Sequence, residues 1–124
     1  MSKTYFTTPV RLIEQELNSD TVTDGDYDFP TDHGAPRTNI IDYFYFVDGS
    51  GNLVAPTAGT VVISFNPVAN EDLYGPAQNG SFNAVDAASP IRAMPSGVGR
   101  ITNVRVTLSG VTGAAGFRAM LSQS

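Results

Sequence analysis

The sequence predicts an all-β fold: one domain over residues 1–124, built as an antiparallel β-sandwich or jelly-roll-like barrel of about seven or eight short strands. Three observations predict it. Short runs of β-branched and aromatic residues recur along the chain, divided by Gly, Pro, Asn and Asp turn signals. No capped helical stretch of useful length interrupts them, which argues against a parallel βαβ arrangement. The composition, with 12 Gly and 8 Pro against only 15% charged residues, is that of a loop-rich β protein.

The elements follow in chain order. Residues 4–17 carry Tyr5, Phe6, Val10, Leu12, Ile13 and Leu17. The alternation at Val10-Arg11-Leu12 behind Pro9 predicts a strand, with residues 1–9 as an extended arm. Residues 18–38 are polar and turn-rich, a long excursion with at most a short strand around Val22. Residues 39–47 (NIIDYFYFV) are the strongest strand, so continuously apolar that burial on both faces is expected. Asp48-Gly49-Ser50-Gly51-Asn52 supplies a turn, and Leu53-Val54 begins the return. Thr60 to Phe65 is the next strand, and residues 66–80 form a second long loop. Ser81 to Val85 and Ile91 to Met94 are weak strands, with Pro95 to Gly99 leading out of them. Last come Ile101 to Leu108 and Phe117 to Leu121, two β-rich runs around Ser109 to Gly116, which together predict a hairpin.

Charge and composition narrow the function. The net charge is −5, and the basic residues Lys3, Arg11, Arg37, Arg92, Arg100, Arg105 and Arg118 are scattered. A nucleic-acid binder concentrates such residues in a stripe, so that role is disfavoured. No apolar run approaches the length of a membrane helix, and the start MSKTYFTTP lacks the apolar core of a secretion signal. With no Cys there is neither a disulfide framework nor a thiolate metal site, which is compatible with assembly in a reducing cytoplasm.

Four groups of residues could carry chemistry. Asp24, Asp26 and Asp28, flanked by Asp20 and Asp32, open like a calcium loop, because a hard cation takes several carboxylate oxygens. An EF-hand is ruled out, since Phe29 and Ala35 stand where Gly and Glu are required. The competing reading is a charged strand edge that discourages unwanted pairing. His33 is the only histidine, so a multi-histidine metal site within one chain is impossible, and no Gly-x-Ser-x-Gly elbow accompanies Asp32-His33. Glu14 and Glu16 share a face if their segment is a strand, and Glu71-Asp72 sits in a loop, but nothing marks either pair as a glycosidase acid and base. In Tyr43-Phe44-Tyr45-Phe46, strand alternation sends the two Phe one way and the two Tyr the other. The expectation is Phe toward the core, with Tyr43 and Tyr45 toward a second layer, a subunit interface or a ligand.

The C-terminal pattern is a strand, then Ser109-Gly110-Val111-Thr112-Gly113-Ala114, then a closing strand. With the low lysine content and the Thr/Asn/Gly/Pro-rich loops, it resembles small virion proteins of tailed bacteriophages. Head decoration (cement) proteins and related head or tail accessory proteins are of this kind. The resemblance is specific over the last quarter of the chain and transfers no functional residue. It implies a non-enzymatic β-sandwich, often trimeric, that assembles in the host cytoplasm and bridges and stiffens major capsid proteins in the virion. On that reading Tyr5, Phe6, Tyr43 and Tyr45 lie at subunit contacts and no cofactor is needed. The alternatives are a calcium-assisted carbohydrate-binding sandwich using Asp24, Asp26 and Asp28, a tail or head-fibre component and, last, a small hydrolase.

Overall fold

A computed structural model describes residues 12–31, 37–67, 74–88, 94–99 and 101–124. Its strands are β1 (Ile13–Glu16), β2 (Gly25–Pro30), β3 (Arg37–Val47), β4 (Leu53–Val54), β5 (Ala58–Asn66), β6 (Gly75–Asn83), β7 (Met94–Gly99), β8 (Asn103–Thr112) and β9 (Gly116–Gln123). All pairings are antiparallel. One sheet runs β1-β9-β3, with β4 and β7 both on the far edge of β3; the other runs β2-β8-β5-β6. The all-β sandwich expected from the sequence is what forms. Among the described residues its strands are eight of four residues or more and the two-residue β4.

The sheets face each other across one aromatic and aliphatic core. Phe44, Phe46 and Phe117 are fully buried, together with Leu17, Ile41, Val61, Ile63, Val104, Val106, Leu108 and Leu121. Phe44 stacks on Phe117 at 5.2 Å and meets Phe46 and Phe82 edge-on. From the opposite sheet, Tyr27 and Phe29 of β2 set their edges against Phe117. Such geometries add to the area burial that drives the packing. The sandwich is tied along both sides. On one, Gln15 of β1 donates to the carbonyl of Pro30 at the end of β2. On the other, β6 lies against β7, and a 3-10 turn over Ala84–Ala88 packs Ala84 and Ala87 into the core.

Several expectations are corrected. The C-terminal hairpin does not form: β8 pairs with β2 and β5 in one sheet, and β9 pairs with β1 and β3 in the other. Their edges are already taken. The carbonyl of Thr112 accepts from Thr57 at the start of β5, while the amide of Ala115 donates to the carbonyl of Val47 in β3. The intervening turn, with Gly113 at φ 82°, carries the chain from one sheet to the other. The excursion at 18–38 holds a six-residue strand at Gly25–Pro30, not a short one near Val22, because its alternate Tyr27 and Phe29 reach the core. The loop expected over 66–80 gives way to β6 from Gly75 onward, and β6 ends at Asn83, where the 3-10 turn begins. Pro95 to Gly99 is part of β7, and Ile91 to Ala93 fall outside the described residues.

The strand expected within residues 4–17 is present at Ile13–Glu16, whereas Val10, Arg11, Tyr5, Phe6 and the rest of the 1–9 arm lie outside the described residues. So do His33 and Glu71-Asp72. From Asn39 to Phe46, β3 is buried on one face: Asn39, Ile41, Phe44 and Phe46 point in, while Ile40, Asp42, Tyr43 and Tyr45 are only partly covered; at the strand's end Val47 is buried as well. A bulge between Ile41 and Tyr43 lets the inward residues change from odd to even numbering.

Candidate functional site

The described face that best fits a recognition role is the outer surface of β1, β9 and β3. Alternation places it. Phe117, Ala119 and Leu121 of β9 point to the core, so Arg118, Met120 and Ser122 point out. Register then builds rows across three strands. Glu16 sits opposite Met120, which sits opposite Tyr43; Glu14 sits opposite Ser122, which sits opposite Ile40. Arg118 lies opposite Tyr45. Tyr43 and Tyr45 pack side by side, their ring centroids 5.6 Å apart, and both stay half-buried. The result is a patch of Tyr43, Tyr45 and Met120 bordered by the exposed carboxylates of Glu14 and Glu16.

Electrostatics gives this face a sign. The guanidinium of Arg118 is committed: it pairs with Asp20 at 2.9 Å and donates to the carbonyls of Ser19 and Phe117. Asp42 accepts from the hydroxyl of Ser122. Among the described residues no cation pairs with Glu14 or Glu16, and Glu16 accepts only from the Asn18 amide. Partial burial, with the nearby Tyr45, Glu16, Asp42 and Glu14, pushes the Tyr43 phenol above its ordinary value. The face is thus aromatic, half-desolvated and negative.

The three aspartates proposed as calcium ligands lie on the other sheet, each with a partner on β8. Asp28 holds Arg105 through Nε at 2.7 Å and Nη2 at 3.2 Å. Asp26 accepts from Thr107 Oγ1 at 2.7 Å. Asp24 accepts from the Gly110 amide at 2.7 Å. These pairs follow the β2–β8 register, where Asp26 faces Thr107 and Asp28 faces Arg105. The Arg105 guanidinium also lies over the Tyr74 ring, 3.7 Å from its centroid. The structure therefore brings these carboxylates to a cross-strand ladder, and among the described residues no three His, Asp or Glu side chains converge as metal ligands would.

Hollows are also present among the described residues. One, about 600 Å³ and shallow, lies where β5, β6 and the 3-10 turn meet, with Asp86 its one carboxylate. The other, about 100 Å³, is enclosed by Asp20, Asp48, Arg118 and glycine backbone. Asp48 is occupied there, capping the amides of Ser50 and Asn52.

Strand alternation alone put Tyr43 and Tyr45 on a common face, and the structure does the same. Alternation missed Met120, Asp42 and Arg118, because their placement depends on which strands pair. The same-face spacing of Glu14 and Glu16 was the available signal, without the strand that brings them beside Tyr43.

No curated protein matches the chain. A family profile described as a domain of unknown function, DUF7265, matches residues 38–124, the stretch from β3 to the C-terminus that includes Tyr43, Tyr45, Arg118 and Met120. The match covers well over half of the chain, which therefore belongs to the DUF7265 family.

Proposed function

We propose that this protein is a structural virion subunit of the head-decoration type, which acts by associating with copies of itself and with the capsid proteins beneath. One observation carries the proposal: Tyr43 and Tyr45 stand as a half-buried pair on an interior strand of the sheet, while the alternating Phe44 and Phe46 are wholly buried. Tyrosines in this position supply large contact area at low entropic cost, each with a polar tip, and this is what interfaces select. The resemblance of Ile101 to Leu121 to phage virion proteins supplies the kind of assembly and favours a closed trimer. Nothing in this reading requires a catalytic group or a cofactor.

The test is solution mass by light scattering, in calcium and in EDTA, for the wild type and for Tyr43→Ala/Tyr45→Ala. The expected result is a closed oligomer in both buffers that the double substitution dissociates without changing the far-ultraviolet circular dichroism. A wild-type monomer at every concentration would sink the proposal.

A further inference from the structure

We propose that the outer face of β1, β9 and β3 receives residues 1–11 of a second copy of this chain, which makes the association an exchange of N-terminal segments. This rests on the self-association put forward above and names the element that performs it.

Charge is the first argument. The face presents Glu14 and Glu16 unpaired by any described cation, and Arg118 is occupied by Asp20. Two such faces repel each other, so a direct face-to-face dimer is disfavoured. Residues 1–11, MSKTYFTTPVR, hold Lys3 and Arg11 and no acidic residue, in a chain whose net charge is −5. They also hold Tyr5 and Phe6, aromatic partners for Tyr43, Tyr45 and Met120.

Reach and direction are the second. The segment joins the sheet at Leu12, 56% exposed, immediately before edge strand β1. An extended stretch of this length spans up to about 37 Å, whereas β1 and β3 lie only about 10 Å apart. Ile13 pairs with Gln123 and Glu16 with Met120, so the chain enters β1 at the end away from Tyr43 and Tyr45. To cover its own face the segment must reverse near Leu12. Residues 1–12 contain no Gly, Asn or Asp, the residues that tolerate the positive φ of the tightest reversals. Pro9 fixes its own backbone, biases Thr8 toward extended geometry, and is followed by β-branched Val10. That composition favours reach to a second copy over a turn back onto the segment's own face.

The experiment is a charge swap in the full chain, read by sedimentation equilibrium. Lys3→Glu/Arg11→Glu and Glu14→Lys/Glu16→Lys are each expected to weaken association by about tenfold or more, and the four together to restore it to within about threefold of wild type. Wild-type association is also expected to weaken steadily with added salt, a measurement that stands even if a variant fails to fold. An oligomer that needs Tyr43 and Tyr45 yet ignores Lys3, Arg11 and salt would overturn the segment exchange and leave self-association standing. Two weakened pairs without rescue would overturn the exchange as well. A monomeric wild type would overturn both.

Discussion

Adjacent residues of β3 offer a test of the whole arrangement, because Phe44 and Tyr45 are similar in size and point to opposite faces. Phe44 is fully buried, stacked on Phe117 at 5.2 Å, with Phe46 and Phe82 edge-on at 5.2 and 5.6 Å. Truncation to Ala removes the transfer energy of an aromatic ring and leaves a cavity walled by side chains from both sheets, a loss of about 3–5 kcal/mol. Total stability for a chain of this size is roughly 6–15 kcal/mol, so Phe44→Ala would take a large share. Tyr45 is half-buried and its ring partner is Tyr43. Its truncation should cost about 1 kcal/mol, or slightly more where the pair contact adds to it. The assay is urea unfolding followed by circular dichroism, with midpoints compared at equal slope. Measurement below the concentration at which the protein associates keeps interface losses out of the comparison. Phe44→Leu, a milder truncation, keeps the comparison available if the Ala variant does not fold. Equal losses at the two positions would refute the assignment of faces and favour the burial on both sides that the apolar run suggested.

Further outcomes follow from other contacts. Gly59 has φ 114°, and a Cβ there would stand 2.5 Å from the Val111 Cα, so Gly59→Ala should cost at least about 2 kcal/mol in thermal or urea unfolding. Asp28→Ala breaks a partly exposed ion pair with Arg105 and should cost about 0.5–1 kcal/mol at low salt, less at high salt; a salt-independent loss would count against an electrostatic role. Millimolar calcium should leave the melting temperature where EDTA leaves it, since Asp24, Asp26 and Asp28 already have donors on β8; a calcium-specific rise would reopen the metal reading. The raised Tyr43 phenol implies that the native state keeps this proton longer than the unfolded chain. Its effect on stability is therefore nil well below the ordinary tyrosine value of about 10 and becomes a loss as pH climbs past it. Phenolate absorbance of wild type against Tyr43→Phe would show the late-titrating group, and its absence would refute the shift.

The fold class was legible because it depends on local pattern. Runs such as Thr60 to Phe65 and Asn39 to Val47 announce strands wherever they end up in space. The sheet assignment was not legible, because it depends on which edges remain open. Around Gly113 the local signal is the same for a hairpin and for a crossover between sheets. What decides is that Thr112 and Ala115 are already bonded to Thr57 and Val47, residues more than fifty positions away. β2 was hidden for a different reason. Its outward positions are Asp26 and Asp28, so only Tyr27 and Phe29 speak for the core, and two apolar residues in a polar stretch read as a loop.

The same strand shows why the calcium reading was attractive from sequence and how geometry answers it. Carboxylates two residues apart share a face in an extended strand, separated by about 7 Å. A calcium ion draws its oxygens to within about 2.6 Å of itself, so three carboxylates reach it only if the backbone curls. Between Gly25 and Pro30 the backbone stays extended, held by six registered positions on β8. The carboxylates find donors in the same period instead: Arg105 and Thr107, also two apart, run antiparallel to Asp28 and Asp26. An alternating acidic run answered elsewhere by an alternating run of Arg and Thr is thus a strand-pairing signal first, because matching charge across a sheet stabilises register at each step. By the same logic, carboxylates whose rows across the sheet hold no cation, as Glu16 beside Met120 and Tyr43 and Glu14 beside Ser122 and Ile40, lack that internal answer, and this is what the proposed complement from a second copy would supply.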